Sequence, residues 1–362
     1  MLFYSFITIF ALCLFYLSDI TYKRLKIFYF FYAAFILLLS LLGGLRDESV
    51  GTDIATYGIV LFDDAKYASS LWVLLSHKTG EWGFHALMWI CARISGDIHF
   101  MFFTEEFIKI VLVSSTALYF RGKINATLFM FAYLTFFYFT GFSAMRQLLA
   151  MSIYIYSLRY YVEGKHKTYI LFCLFAMTFH SSAIFAFLIY AIRYLRWKKL
   201  QKSILVHLGI ILLICFFSMT IMNYILSNSF GVYSEKAELY MEKEGAITAK
   251  TNILLAVILL IVSYFYKFWK KNQYEYSMFV ILIMYNIFFL YMSPQFEVAF
   301  RVSWYQVPLM VLIFLAFAKQ YSLSKRKVLN VTILSLFLLH FIVSITHGLS
   351  GTIPYSSHIL GI

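Results

Sequence analysis

Charge is scarce in this chain. Asp, Glu, Lys and Arg make up 13% of its 362 residues, about half the share usual in a soluble globular protein. With 62% hydrophobic residues and a mean hydropathy of +0.80, that scarcity excludes a soluble fold and reads as an all-α polytopic integral membrane protein. Proline occurs three times, and no linker or low-complexity stretch marks off a soluble domain. Residues 1–362 therefore read as a single transmembrane domain. The four cysteines, Cys13, Cys91, Cys173 and Cys215, lie inside apolar runs. They lack CxxC or metal-ligand spacing, so they read as packing residues and leave the redox compartment open. Acids are outnumbered 17 to 30, for a net charge of +13. In a soluble chain this excess would suggest a nucleic-acid partner. Here it reads as the cytoplasmic Lys/Arg bias that sets membrane topology, and no nucleic acid is expected. The first apolar run, Met1 to Leu17, lacks a basic leader and a small-residue cleavage site, so it reads as the first span rather than a signal peptide.

A span needs about 20 apolar residues. Candidates fall near 1–17, 27–45, 100–120, 124–142, 145–162, 203–228, 251–268, 276–292, 303–320 and 328–346. Two further apolar pieces are 82–95 and 168–192. The expectation is about 10–12 transmembrane helices plus re-entrant or interfacial ones. Twenty of the 30 basic residues fall in six clusters, beginning at Lys23, Arg121, Arg159, Arg193, Lys267 and Lys319. Placing all six in the cytoplasm makes 46–81, about 141–147, 229–250 and 293–302 external. This solution needs an even number of crossings between Lys167 and Arg193. Segment 168–192 should then be a hairpin or re-entrant pair bent near Phe179-His180-Ser181-Ser182, and 82–95 a half-helix dipping in from outside. The core SEKAELYMEKE of loop 229–250 favours a surface helix. Glu105, Glu106 and Lys109 sit awkwardly in an apolar run, explained so far only by an i,i+4 pair of Glu105 with Lys109.

Polar residues converge on the external side of this topology. GGLRDESVGTDIATY supplies Arg46, Asp53 and Tyr57. EWGFHALMW supplies Glu81 and His85, four apart and so on one helix face. Arg146-Gln147 interrupts apolar sequence, where a charge at bilayer depth costs about 2.5–3.5 kcal/mol even on the lenient insertion scale. FEVAFR supplies Glu297 and Arg301, again four apart. Singly, each has an ordinary explanation: arginines snorkel at membrane edges, acidic loops are solvated, and His85 is a satisfied interfacial histidine. The two serines after His180 are available as partners for a buried ring. Together, three arginines from three segments (Arg46, Arg146 and Arg301) offer planar forks suited to a diphosphate. Asp53, Glu81, His85 and His180 are the candidates to hold or remove a hydroxyl proton. Asp63-Asp64 reads as loop surface.

The series LRDESVGTDIATY, EWGFHALMW, SAMRQLLAMSIYIYSLRYYVEGKHKTYI, AMTFHSSAI and FRVSWY resembles the EpsG family, bacterial polysaccharide polymerases grouped with Wzy-type O-antigen polymerases. The resemblance covers roughly residues 40 to 310. R-x(3)-VGTD, MRQ and FHxSA are specific together and weak singly. One departure is EWGF, where EPGF is expected. The matching positions are Arg46, Gly51, Thr52, Asp53, Tyr57, Glu81, His85, Arg146, Gln147, His180 and Arg301.

The resemblance implies a GT-C-like membrane fold in the bacterial inner (cytoplasmic) membrane, with the active site facing the periplasm or outside. It implies transfer of a growing glycan from undecaprenyl diphosphate onto a new lipid-linked repeat unit, with no metal or cofactor. It makes the donor and acceptor undecaprenyl-diphosphate-linked oligosaccharides, with membrane lipid around them and a chain-length regulator as a partner. Asp53, Glu81, His85 and His180 are then the catalytic candidates, and Arg46, Tyr57, Arg146, Gln147 and Arg301 the diphosphate- or substrate-binding ones. Rival readings are a transporter or flippase of lipid-linked oligosaccharide, a membrane O-acyltransferase using His180, and a ligase that moves finished glycan to another acceptor.

Overall fold

The structure, a computed structural model, describes residues 2–76, 80–195, 202–213, 244–293, 297–348 and 351–362. The expected surface helix in loop 229–250, Cys215 and much of the expected span 203–228 lie outside the described residues. Among the described residues the fold is all-helical, with no strand. Six helices among the described residues are long and apolar enough to cross a membrane: Leu2–Ile20, Leu25–Gly44, Ile247–Phe265, Gln273–Met292, Ala299–Lys319 and Leu323–Thr346. Shorter apolar helices cover Ala126–Tyr138, His166–Met177, Ser181–Leu195 and Lys202–Leu213. The protein is thus an all-α multi-pass membrane protein. Helices suit that solvent because they satisfy every backbone donor and acceptor within one segment.

The residues gather into two compact units, Met1–Phe187 with Tyr321–Ile362, and Leu188–Gln320. In the first, α1 (Leu2–Ile20) packs on α2 (Leu25–Gly44), α2 on α6 (Ile98–Phe120), α6 on α8 (Met145–Glu163), and α8 on α9 (His166–Met177). Short helices α3 (Ile59–Tyr67), α4 (Leu71–Ser76) and α5 (Trp82–Ile94) lie between α2 and α6 in sequence. The helix α7 (Ala126–Tyr133) runs into a π-helical turn, Leu134–Tyr138, and a 3-10 turn, Thr140–Phe142. Side-chain hydroxyls bridge the layers: Tyr138 donates to Leu39 O at 2.6 Å, and Tyr32 pairs with Ser114 at 2.9 Å.

Contacts gather the helix ends of this unit into two sets. The Arg121 guanidinium lies 3.5 Å from the centroid of the Tyr22 ring, which brings the first two basic clusters to one end. Glu163 bonds Tyr119 at that same end of α6. At the other ends of α2, α6 and α8 stand the loop from Arg46, His99 and Arg146. His99 Nδ1 lies 3.0 Å from Gly44 O, and Ser143 meets Thr52.

The expected break in 168–192 is present. Helix α9 stops at Met177, a 3-10 turn covers Ser181–Ile184, and α10 (Phe185–Leu195) follows. Tyr169 donates to Ala186 O at 2.9 Å, and the 3-10 turn packs on α9. The 82–95 piece is the 13-residue helix α5, about 20 Å long at 1.5 Å per residue. That is too short for a hydrocarbon core of about 30 Å.

The C-terminal helix Leu323–Thr346 returns the chain to the Arg46 end, where residues 351–362 form a strap over loop 45–52. Gly51 N donates to Gly351 O at 2.9 Å, and Asp47 N to Ser356 O at 2.9 Å. Tyr4 donates to Thr352 O at 2.6 Å, and Tyr355 to Leu42 O at 2.8 Å. The Asp47 carboxylate accepts from His358 N at 2.8 Å and lies 2.5 Å from its Nδ1. The His358 backbone N–H, then its ring, hold the Asp47 carboxyl down at about 2. A depressed carboxyl stabilises the pinned state above its unfolded value, about 3.9, and loses that effect as pH falls towards 2. Hydrogen-exchange protection of residues 356–360, relative to the intrinsic rate at each pH, should therefore hold from neutral pH to that upper value and fall below it. In Asp47→Ala it should be low at neutral pH as well. Equal protection in parent and variant would show that Asp47 does not hold the strap.

In the second unit, helices Glu244–Phe265, Phe268–Lys271, Gln273–Met292, Glu297–Ser303 and Val307–Lys319 follow one another, with Lys202–Leu213 before them. Asn272 caps its helix through Tyr274 N at 3.0 Å and Glu275 N at 3.1 Å. Phe268 stacks on Phe317 at 4.7 Å. Inside, His207 Nδ1 lies 3.2 Å from Tyr285 Oη, and Asn286 donates to Ser303 O at 2.8 Å.

Candidate functional site

The candidate site forms at the Arg46 end of the first unit, where three breaks in helix meet. The first is the loop at Gly51, whose φ of +110° is the left-handed region that glycine alone enters freely. A Cβ there would also stand 2.8 Å from Phe142 O. This close approach seats the loop on the 140–143 turn. Ser143 Oγ then lies 3.0 Å from Thr52 Oγ1 and accepts from Asp53 N at 3.3 Å. A π-helical turn, Ile54–Gly58, follows Asp53, and Tyr57 donates to Asp53 Oδ2. π-turns inside helices recur at functional sites.

The second break is the start of α5. Trp82 takes the first helical position, a place that suits proline, so the departure from EPGF leaves a helix start in place. Glu81 before it has φ 55° and ψ 32°, a left-handed conformation that costs a non-glycine residue about 1–2 kcal/mol. Its carboxylate compensates by pairing with Arg146. The third break is the α9 turn. Gly83 N donates to Thr178 O at 2.8 Å, and a Cβ on Gly83 would lie 2.3 Å from Thr178 Oγ1. Only a residue without a side chain lets α5 dock this closely, and that docking brings Glu81 to His180. Gly83→Val should push the two apart, costing about 1–3 kcal/mol as an overpacked contact does. It should also lose most of the protein's activity. A parental melting temperature in the purified variant would show that the contact is slack.

At the centre, Arg146 in the first turn of α8 forms an ion pair through Nη1 with Glu81 Oε2. The two side chains are 25% and 16% exposed, so the pair is partly desolvated yet open. The guanidinium also lies 4.5 Å from the Tyr57 ring centroid, a cation–π contact that ties it to Asp53. On the far side of Glu81, His180 Nε2 stands 3.8 Å from Oε1. His180 Nδ1 accepts from Ser182 N at 3.2 Å and lies 2.7 Å from Ser182 Oγ. An Nδ1 that accepts a backbone N–H leaves the neutral ring's proton on Nε2. The ring therefore presents a donor to Glu81.

The structure thus brings Asp53, Tyr57, Glu81, Arg146 and His180 into one group. His85 is buried on α5, one turn beyond Glu81, and Gln147 is buried next to Arg146. Arg46 is not brought into the group. It is fully buried and donates to Gly43 O at 2.5 Å. It makes longer contacts to Phe142 O and Met145 Sδ at 3.5 and 3.4 Å. The Phe102 and Phe142 rings lie 4.1 and 4.7 Å from its guanidinium carbon. Arg301 lies on helix Glu297–Ser303 of the second unit. Ser143, the hinge between the two loops, went unremarked in the sequence, although it opens the SAMRQ motif. Among the described residues no three His, Cys, Asp or Glu side chains come together as a metal site.

These features define an all-helical, multi-pass membrane protein with an arginine–carboxylate–histidine site at one end of a helix bundle. The chain belongs to the EpsG family, whose match runs over residues 29–357, and EpsG-type proteins are Wzy-like polymerases. No curated protein and no solved structure matches the sequence.

Proposed function

We propose that the protein is a Wzy-type polysaccharide polymerase. It moves a growing glycan from undecaprenyl diphosphate to a hydroxyl of a new lipid-linked repeat unit. The site faces the periplasmic or outer side of the bacterial cytoplasmic membrane. The observation that carries this reading is the partly open Arg146–Glu81 pair beside His180, in a chain of the EpsG family.

The geometry supports the following chemistry. The bond from the donor sugar's anomeric carbon to the phosphate oxygen breaks, and the acceptor hydroxyl oxygen bonds to that carbon. The leaving diphosphate carries the electron pair and develops charge. Arg146 neutralises that charge through its planar fork. As the diphosphate takes over Arg146, Glu81 loses its partner and becomes the acceptor for the hydroxyl proton. His180 is the poorer base because its Nδ1 already accepts from Ser182. It instead steadies Glu81 through Nε2. Asp53 is engaged by the Tyr57 hydroxyl and acts with it to hold the guanidinium in place. A diphosphate is a good leaving group, so positioning supplies much of the acceleration. Arg46 stays outside this scheme because it is enclosed by protein.

Deletion of the gene, followed by gel analysis of the surface polysaccharide, tests the reading. The ladder should collapse to a single repeat unit on its carrier and return on complementation. Loss of even the single unit would place the protein upstream, in flipping or in unit synthesis. An unchanged ladder would refute the polymerase reading.

A further inference from the structure

Three charges that the catalytic scheme does not use lie on one face of α6. Glu105, Glu106 and Lys109 are each 0–1% exposed. Lys109 Nζ stands 2.8 Å from Glu105 Oε1 and 2.6 Å from Glu106 Oε1. Ionisable groups this deep in a membrane protein are costly, and an apolar replacement of similar shape commonly serves stability as well or better. Their third connection suggests their use. The Lys109 ammonium also donates to Gly141 O at 3.2 Å. Arg46, the fourth buried charge, reaches the next carbonyl, Phe142 O. Two buried cations thus hold successive carbonyls of one turn, and the two glutamates balance them. The chain leaves that turn through Ser143, which binds Thr52 and Asp53, and enters α8 at Arg146.

We propose that Lys109 is a positioning residue: its ammonium, held by Glu105 and Glu106, fixes the Gly141–Phe142 turn and so sets Arg146 and Ser143 against the Thr52–Asp53 loop. The geometric claim stands on the contacts above. Its consequence for donor binding rests on the polymerase reading.

A disulfide reporter tests the geometry. With the four native cysteines replaced by alanine, Thr52→Cys and Ser143→Cys put two thiols where two hydroxyl oxygens now lie 3.0 Å apart. Their oxidation demands close, defined geometry. In the full-length purified protein the pair should oxidise readily. Lys109→Met should slow oxidation severalfold, and Lys109→Arg should restore part of the rate. The double change Lys109→Met/Glu106→Gln leaves one buried cation, Arg46, and one buried carboxylate, Glu105, and so keeps the charges balanced. It should remain slow, because Gly141 O still lacks its donor. Gly141→Ala guards against a variant that fails to fold. It keeps every charge, but its Cβ would stand 2.9 Å from Lys109 Nζ and displaces the ammonium, so it too should be slow. Parental rates in the double variant or in Gly141→Ala would overturn the proposal and reduce Lys109 to a charge balance.

Binding of farnesyl diphosphate to the same proteins, with Thr52 and Ser143 restored, separates the two readings. Weaker binding in step with slower oxidation supports both. Slow oxidation, with farnesyl diphosphate binding unchanged in Lys109→Met and in Arg146→Lys alike, keeps the positioning role and sinks the donor-site reading.

Discussion

Arg146→Lys should lower polymerisation by about 100-fold, the usual loss when one preorganised donor to a developing oxyanion is removed. Lysine keeps the positive charge but loses what arginine supplies here. It has no planar fork to grip two phosphate oxygens at once. It also has no flat face to lie over Tyr57, as the guanidinium does at 4.5 Å. The ion pair with Glu81 should survive in part, so the protein should still insert and melt near the parental temperature. The check is chain length on a gel at matched membrane levels, together with release of undecaprenyl diphosphate by purified protein. Parental activity in Arg146→Lys would mean that bidentate contact is not used and that Arg146 serves only the fold.

Glu81→Gln should cost as much or more, within the span of about 10²–10⁴-fold associated with a general base. Glutamine keeps the shape and one acceptor oxygen, so Arg146 and the left-handed turn at residue 81 remain supported. What disappears is the ability to take a proton. The loss should appear in the maximal rate, with donor affinity near that of the parent or tighter, since an anion then meets one carboxylate fewer beside Arg146. Full activity in Glu81→Gln would move proton acceptance elsewhere, with Asp53 next in line. A His180→Gln variant should lose less than Glu81→Gln, because His180 acts through Glu81.

The helical, membrane-spanning character was legible from the sequence because it depends on run length and charge placement alone. Even the bend in 168–192 followed from counting crossings between Lys167 and Arg193. Proximity was legible where motif residues lie at helix breaks: Asp53, Tyr57, Glu81, Arg146 and His180 do meet. Burial was not legible. Arg46 looked like a third phosphate ligand because residue type is visible in sequence and enclosure by Phe102 and Phe142 is not. The awkward trio at 105–109 was visible as charge in an apolar run. Its purpose depends on Gly141 O, 32 residues further along the chain, and helical spacing says nothing about a partner so distant. The tail GTIPYSSHILGI offers no periodic signal, yet its backbone groups grip loop 45–52. Arg301 belongs to the second compact unit, a division that no composition change announces.

The strap formed by residues 351–362 also determines where a reporter enzyme can be attached. Ile362 N and O pair with Ser357 O and N, and His358 is bonded to Asp47, so Ile362 stands at the same face as the arginine site. Alkaline phosphatase folds into an active enzyme only after export, whereas green fluorescent protein matures only when retained. Fused after Ile362, the pair would therefore report the compartment into which the site opens, without altering any residue that lines it.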